Sequence, residues 1–203
     1  MESVQVWDLT QVTEAEPEPK ADANSIKASR GAIYKACYSR QSGLLVVRGD
    51  ERGVSVWDIA RRKLRQKVTE DLVYRIAISS DGKWVAYAEG LPQFSLLNVE
   101  TGKVTTPFKE NDRRVESLAF SPDGKTLYTG GYYYRNRQRV KQDYSIHLWD
   151  VKTGKRKAKW EGASSRITSL FLSPDGKWLV SNEPTQSLIW STETGKVVAR
   201  DRF

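Results

Sequence analysis

The chain has 203 residues, 38% of them hydrophobic and 29% charged, which is ordinary globular usage and long enough to bury a real core. A formal net charge of +8 favours acidic partners, although charge alone speaks to solubility and non-specific binding rather than to function. The single cysteine, Cys37, excludes an internal disulfide, and no run approaches 18 apolar residues, which argues against a spanning helix. The opening MESVQVWDLT lacks the basic start and apolar core of a signal peptide, so the expectation is a soluble protein of the cytoplasm.

Taken in chain order, VQVWD at 4–8 reads as a strand standing alone within residues 1–9. Residues 10–30 follow as an acidic, Pro-containing linker in which Glu14, Glu16 and Glu18 alternate with Pro17 and Pro19. That composition cannot bury a core, and it reads either as a plain linker or as an acidic tether that neutralises a basic patch. From 31 onward the chain repeats itself four times. An alternating apolar stretch (ACY at 36–38, IAI at 76–78, LAF at 118–120, LFL at 170–172) leads into SRQSG, SSDGK, SPDGK and SPDGK, opened by Ser39, Ser79, Ser121 and Ser173. Downstream come VSVWD at 54–58, FSLLN at 94–98, IHLWD at 146–150 and SLIWS at 187–191. TGK then recurs at 101–103, 153–155 and 194–196. Period-2 alternation marks half-buried strands, and Asp-Gly and Thr-Gly supply the positive φ that tight turns need. Each unit is therefore a four-stranded antiparallel meander, and almost no helix is expected.

SPDGK followed by LWD and then TGK resembles the WD40 repeat, whose units build β-propeller blades. The resemblance implies an all-β propeller segment spanning 1–203, with four complete four-stranded blades over 31–203 and a partial fifth at the start. TolB-like propellers share the SPDGK turn, but Trp-Asp at 7–8, 57–58 and 149–150 favours WD40. The family carries Gly-His before each first strand, with the His joined to Ser or Thr, Asp and Trp. Here Glu110-Asn111 and Gly162-Ala163 stand at that place, and the single histidine, His147, lies in a third strand. The third unit keeps Thr129, Asp143 and Trp149. In register, Trp57, Trp149 and Trp190 are expected to be buried. Because such propellers close with about seven blades, the resemblance implies that open blade faces meet one another, a second copy, another protein, or further blades.

The third unit also holds the main departure from the repeat. Ser121 and Trp149 are separated by ten or so more residues than their counterparts, and the excess includes Tyr132, Tyr133, Tyr134, Arg135, Arg137, Arg139 and Lys141. Spacing two puts the cations on one face of an extended strand, so a hairpin turning near Asn136 is expected. It reads either as a partner-contacting element or as a solvated turn. RRKLRQK at 61–67 and KRKAK at 155–159 fall on outer strands, where Lys and Arg discourage edge pairing. Trp84 and Trp178 open second strands and read as core or rim packing. No Cys/His cluster suits zinc, no base flanks Cys37, and no GxxxxGK[ST] loop is present. The expectation is a non-catalytic protein-binding scaffold with no cofactor and no metal. Its partner is a protein or a second copy; nucleic-acid or other polyanion binding through 132–141 is the alternative, and no membrane contact is expected.

Overall fold

A computed structural model describes residues 4–5, 25–26, 32–49, 53–68, 72–89, 94–106, 108, 113–133 and 143–202. All regular structure among them is β, in four four-stranded antiparallel sheets and one two-stranded pair. The pair joins β1 (Val4–Gln5) to β2 (Ser25–Ile26), so a strand of two residues lies inside the 10–30 stretch. The first blade is β3 (Ile33–Ser39), β4 (Leu44–Gly49), β5 (Ser55–Asp58) and β6 (Lys63–Lys67). The second is β7 (Arg75–Ile78), β8 (Trp84–Ala88), β9 (Phe94–Asn98) and β10 (Val104–Thr105). The third is β11 (Arg113–Phe120), β12 (Thr126–Tyr133), β13 (Ile146–Asp150) and β14 (Arg156–Trp160). The fourth is β15 (Ser169–Leu172), β16 (Trp178–Asn182), β17 (Gln186–Ser191) and β18 (Val197–Arg202). In each blade, strands adjacent in sequence are hydrogen-bonded neighbours.

The repeated phrase folds the same way each time because its chemistry is local. In the third blade Ser121 Oγ donates to Asp123 Oδ1 at 2.6 Å, and that oxygen accepts from Lys125 N–H at 3.0 Å. Thr126 N–H closes back onto Ser121 Oγ at 2.9 Å, and Gly124 takes the left-handed φ of 68° that the turn requires. Ser79 with Asp81, and Ser173 with Asp175, repeat the arrangement. The basic runs lie on β6 and β14, each at the edge of its sheet, as edge protection requires.

Cross-strand register sorts each blade into two apolar rows. The rear row is Cys37–Val46–Val56–Gln66 in the first blade, Ala77–Ala86–Leu96–Thr105 in the second, Ala119–Tyr128–Leu148–Ala158 in the third and Phe171–Val180–Ile189–Ala199 in the fourth. The front row contains Leu45 and Trp57, Val85 and Leu97, Leu127 and Trp149, then Leu179 and Trp190. Three core clusters follow from stacking a rear row on the next blade's front row. Val46 and Val56 meet Val85 and Leu97; Ala86 and Leu96 meet Leu127 and Trp149; Tyr128 and Leu148 meet Leu179 and Trp190. No described cluster joins the fourth blade to the first, and the described array is not closed.

Two expectations about tryptophan need correction. Trp149 and Trp190 are fully buried, but Trp57 is only half-buried, since its front row has no preceding rear row against it among the described residues. Trp84 packs partly against the core between the second and third blades, whereas Trp178 is 45% exposed on the uncovered rear face of the fourth. Trp149 Nε1 donates to Thr129 Oγ1 at 3.0 Å, joining two of the three residues retained from the network that the resemblance implies. Trp190 donates to Ser181 Oγ at 2.8 Å, the same register position as Thr129. In the first blade Val47 stands there, and Trp57 turns to Ser55 Oγ at 2.9 Å instead. His147 is buried opposite Thr129, with its ring 5.8 Å from Trp149. Asp143 bonds Ser145 and, at 2.9 Å, Lys159.

Candidate functional site

The rim where second strands end and first strands begin gathers side chains from three blades. Tyr34 and Arg48 come from the first blade, Tyr74 and Arg75 from the entry to the second, and Arg114, Glu116 and Tyr132 from the third. Arg48 lies over the Tyr34 ring at 4.7 Å and over the Tyr74 ring at 5.6 Å. Arg114 lies 5.9 Å from the Tyr74 ring and 5.9 Å from the Tyr132 ring, and donates to the Tyr132 hydroxyl at 3.3 Å. The result is an alternating series, Tyr34–Arg48–Tyr74–Arg114–Tyr132. Each such contact contributes on the order of 0.5–1 kcal/mol at exposed positions.

Two irregularities in first strands aim the flanking side chains. Register breaks between Ile33 and Lys35, leaving Tyr34 as the extra residue, and between Val115 and Ser117, leaving Glu116. A bulge re-aims a side chain while the rest of the strand stays paired. Tyr34 emerges 58% exposed, while Glu116 turns inward and is buried. Its carboxylate accepts from Arg75 at 3.4 Å and faces Arg114 at 3.3 Å, and its backbone carbonyl accepts from Arg75 Nε. The glycines before the tyrosine run make room for this. A Cβ on Gly131 would sit 1.9 Å from the Arg114 carbonyl oxygen, and one on Gly130 would sit 2.6 Å from Ile167 Cγ2. Backbone approach that close leaves only glycine at 131, while at 130 the absent Cβ leaves room for the Ile167 side chain.

Of the residues singled out from sequence, Tyr132 is half-buried and ends this series, and Tyr133 pairs in register with Arg113. Tyr134, Arg135, Arg137, Arg139 and Lys141 lie outside the described residues. Sequence reasoning missed Tyr34, Arg48, Tyr74 and Arg114, which are far apart in the chain and join only once the blades stack. The doubled glycine at 130–131 was the one local sign of close backbone approach. Cys37 packs against the core between the first two blades, where burial pushes its thiol up to about 12 and keeps it protonated. Among the described residues no group of three His, Cys, Asp or Glu is placed to hold a metal ion, and no helix is long and apolar enough to cross a membrane.

The family model described as "WD domain, G-beta repeat" matches residues 102–150 and 154–183. Protein groucho of Drosophila melanogaster is 26% identical over 181 residues, 87% of this chain and 23% of that protein. WD repeat-containing protein 43 of Homo sapiens is 37% identical over 87 residues, covering 43% of this chain and 11% of that one. Autophagy-related protein 16 of Arabidopsis thaliana is 24% identical over 208 residues, covering 81% and 39%. The chain thus spans well under half the length of each of these relatives. Repeated turns, stacked four-stranded blades and these matches agree: WD40 repeats are found at residues 102–150 and 154–183, and the chain is similar to WD-repeat proteins.

Proposed function

We propose that this chain is a non-catalytic scaffold that holds protein partners, working in the cytoplasm and presenting two contact surfaces. The observation that carries the reading is the Tyr–Arg series on the rim, which runs through three blades and ends at Tyr132, where the basic insertion begins. Arginine and tyrosine are the residue types that dominate binding hot spots, and here they stand preassembled on rigid strands. WD40-repeat proteins are in general protein-interaction scaffolds, which supports the same conclusion. The second surface is the uncovered rear row of the fourth blade, which takes a protein partner or a second copy.

The proposed contact set joins Tyr132 of this series to Tyr133, Tyr134, Arg135, Arg137, Arg139 and Lys141, which follow it in sequence. The test replaces Arg135, Arg137 and Arg139 together with Ser and compares quantitative affinity capture against the parent chain. Folding is expected to stay nearly intact, and an unchanged melting temperature checks it. The principal captured protein is expected to fall several-fold. A variant that folds and captures as before removes the insertion from the contact surface. Capture of nucleic acid alone, collapsing between about 50 and 200 mM salt, would replace the scaffold with a polyanion binder.

A further inference from the structure

We infer that the rim series is a receptor for an acidic, extended peptide segment, with Arg48 as its principal carboxylate-binding group. The inference rests on the scaffold reading above and names the chemistry of its partner. Its starting point is a charge imbalance. Arg75 and Arg114 share the Glu116 carboxylate, at 3.4 and 3.3 Å. Arg48 has two tyrosine rings and no carboxylate among the described residues. A guanidinium over a ring is held by its face, while its N–H donors lie in the plane and point outward at the edge. That is the fork that a carboxylate meets with two parallel hydrogen bonds.

The same geometry selects the class of ligand. Nucleic acid binds such surfaces by stacking bases on open aromatic faces. On this rim guanidinium groups already lie 4.7–5.9 Å from the ring centres of Tyr34, Tyr74 and Tyr132, so a stacking base competes with them for these rings. A carboxylate needs no ring face and displaces nothing. Arg48 and Arg114 also flank one ring, Tyr74, at 5.6 and 5.9 Å, so an extended strand with acidic side chains can engage both blades in turn. Arg48 is half-buried with the Tyr34 ring 4.7 Å away, and partial burial strengthens a charged contact there.

The experiment is selection of a random dodecapeptide display library on the whole chain, followed by affinity measurement on Arg48→Gln. The expected outcome is a selected pool rich in Asp and Glu whose members bind Arg48→Gln at least about tenfold more weakly, as loss of a charge-assisted pair implies. An oligothymidylate of about twenty nucleotides is expected not to compete. Should Arg48→Gln melt early, Arg48→Lys serves instead. It keeps the charge and loses the fork, and intermediate binding is expected. A pool without acidic excess, an empty pool, or acidic peptides that ignore both substitutions overturns the inference, and full competition by oligothymidylate assigns the rim to nucleic acid. The scaffold reading is judged separately by affinity capture. A captured protein partner lost from the Arg135, Arg137 and Arg139 variant sustains that reading even if no acidic peptide binds.

Discussion

The carboxylates of the repeated turns are held in their charged form by local hydrogen bonds. Asp123 is held below the ordinary carboxylate range by the Ser121 hydroxyl and then by the Lys125 N–H. Asp175 is lowered in the same way by Ser173 and Lys177, and Asp150 by the hydroxyl and N–H of Thr153. Asp58 is lowered by the backbone N–H and then the guanidinium of Arg61. In the unfolded chain these groups titrate near ~3.9. A folded value below the unfolded one means that the stabilisation is complete above that pH and is lost as the pH falls through the folded values. The double change Asp123→Asn and Asp175→Asn is therefore expected to lower stability at neutral pH. The gap to the parent should begin to narrow below about pH 4, where the unfolded chain takes up protons, and go on closing as the pH falls through the lowered folded values. Urea unfolding at pH 7 and at pH 3 measures both gaps, and a gap that stays constant would show that these carboxylates stabilise nothing through their charge.

At the level of strands and blades, position in the stack decides what a residue contributes. Trp149 sits in the front row of the third blade, with the rings of Phe94 and Phe108 of the preceding unit 5.6 and 5.4 Å away. Trp149→Ala is expected to cost roughly 3–5 kcal/mol in urea unfolding, the usual toll of emptying a buried aromatic site. Trp57→Ala, at the same register in a row with nothing described before it, is expected to cost less than half as much. Equal losses would mean that the first front row is covered after all. This contrast also marks what the sequence could reveal. SPDGK, LWD and TGK specify turns and strands through contacts within a few residues, so four blades, their order and their edge strands could be read directly. The exposure of Trp57 depends on the element packed in front of it, which no local pattern encodes. The rim behaves likewise: Tyr34, Arg48, Tyr74, Arg114 and Tyr132 come from three repeats, and only stacking makes them one site. The tyrosine run stood out because it is local, and of it Tyr132 ends the series. Its partners gave no such sign, since an arginine late in a second strand looks like any solvated cation.

At the scale of the whole molecule, three contacts between a rear row and the next front row are made among the described residues, and none of the described core clusters covers the rear row of the fourth blade. In the first three blades the rear-row residues Val46, Ala86 and Tyr128 are buried by the next front row. In the fourth, Phe171 is 58% exposed and Ile189 37% exposed, in the same row and with the same apolar chemistry. The fourth row is thus built like an interior surface, and isolated apolar residues on a monomer do not line up across four strands by the demands of solubility. If this row seats another blade or a protein partner, the isolated chain is expected to associate with rising concentration. The double change Phe171→Ser and Trp178→Ser tests it, since both side chains are exposed and their loss should change the melting point little. Sedimentation velocity across the micromolar range is expected to show association for the parent and a single slower species for the variant. A parent that stays monomeric while Phe171 remains solvent-accessible would mean that the row does not seat a second copy of this chain. A variant that unfolds would mean that the row is already packed within this chain. Heterologous faces, one rear and one front, make the form of association informative as well. A front row that accepts the rear row of a second copy closes into a ring if the rotation allows and runs on as a filament if it does not. A discrete sedimenting species for the parent is therefore the signature of closure, and a continuous broadening with concentration is the signature of open growth.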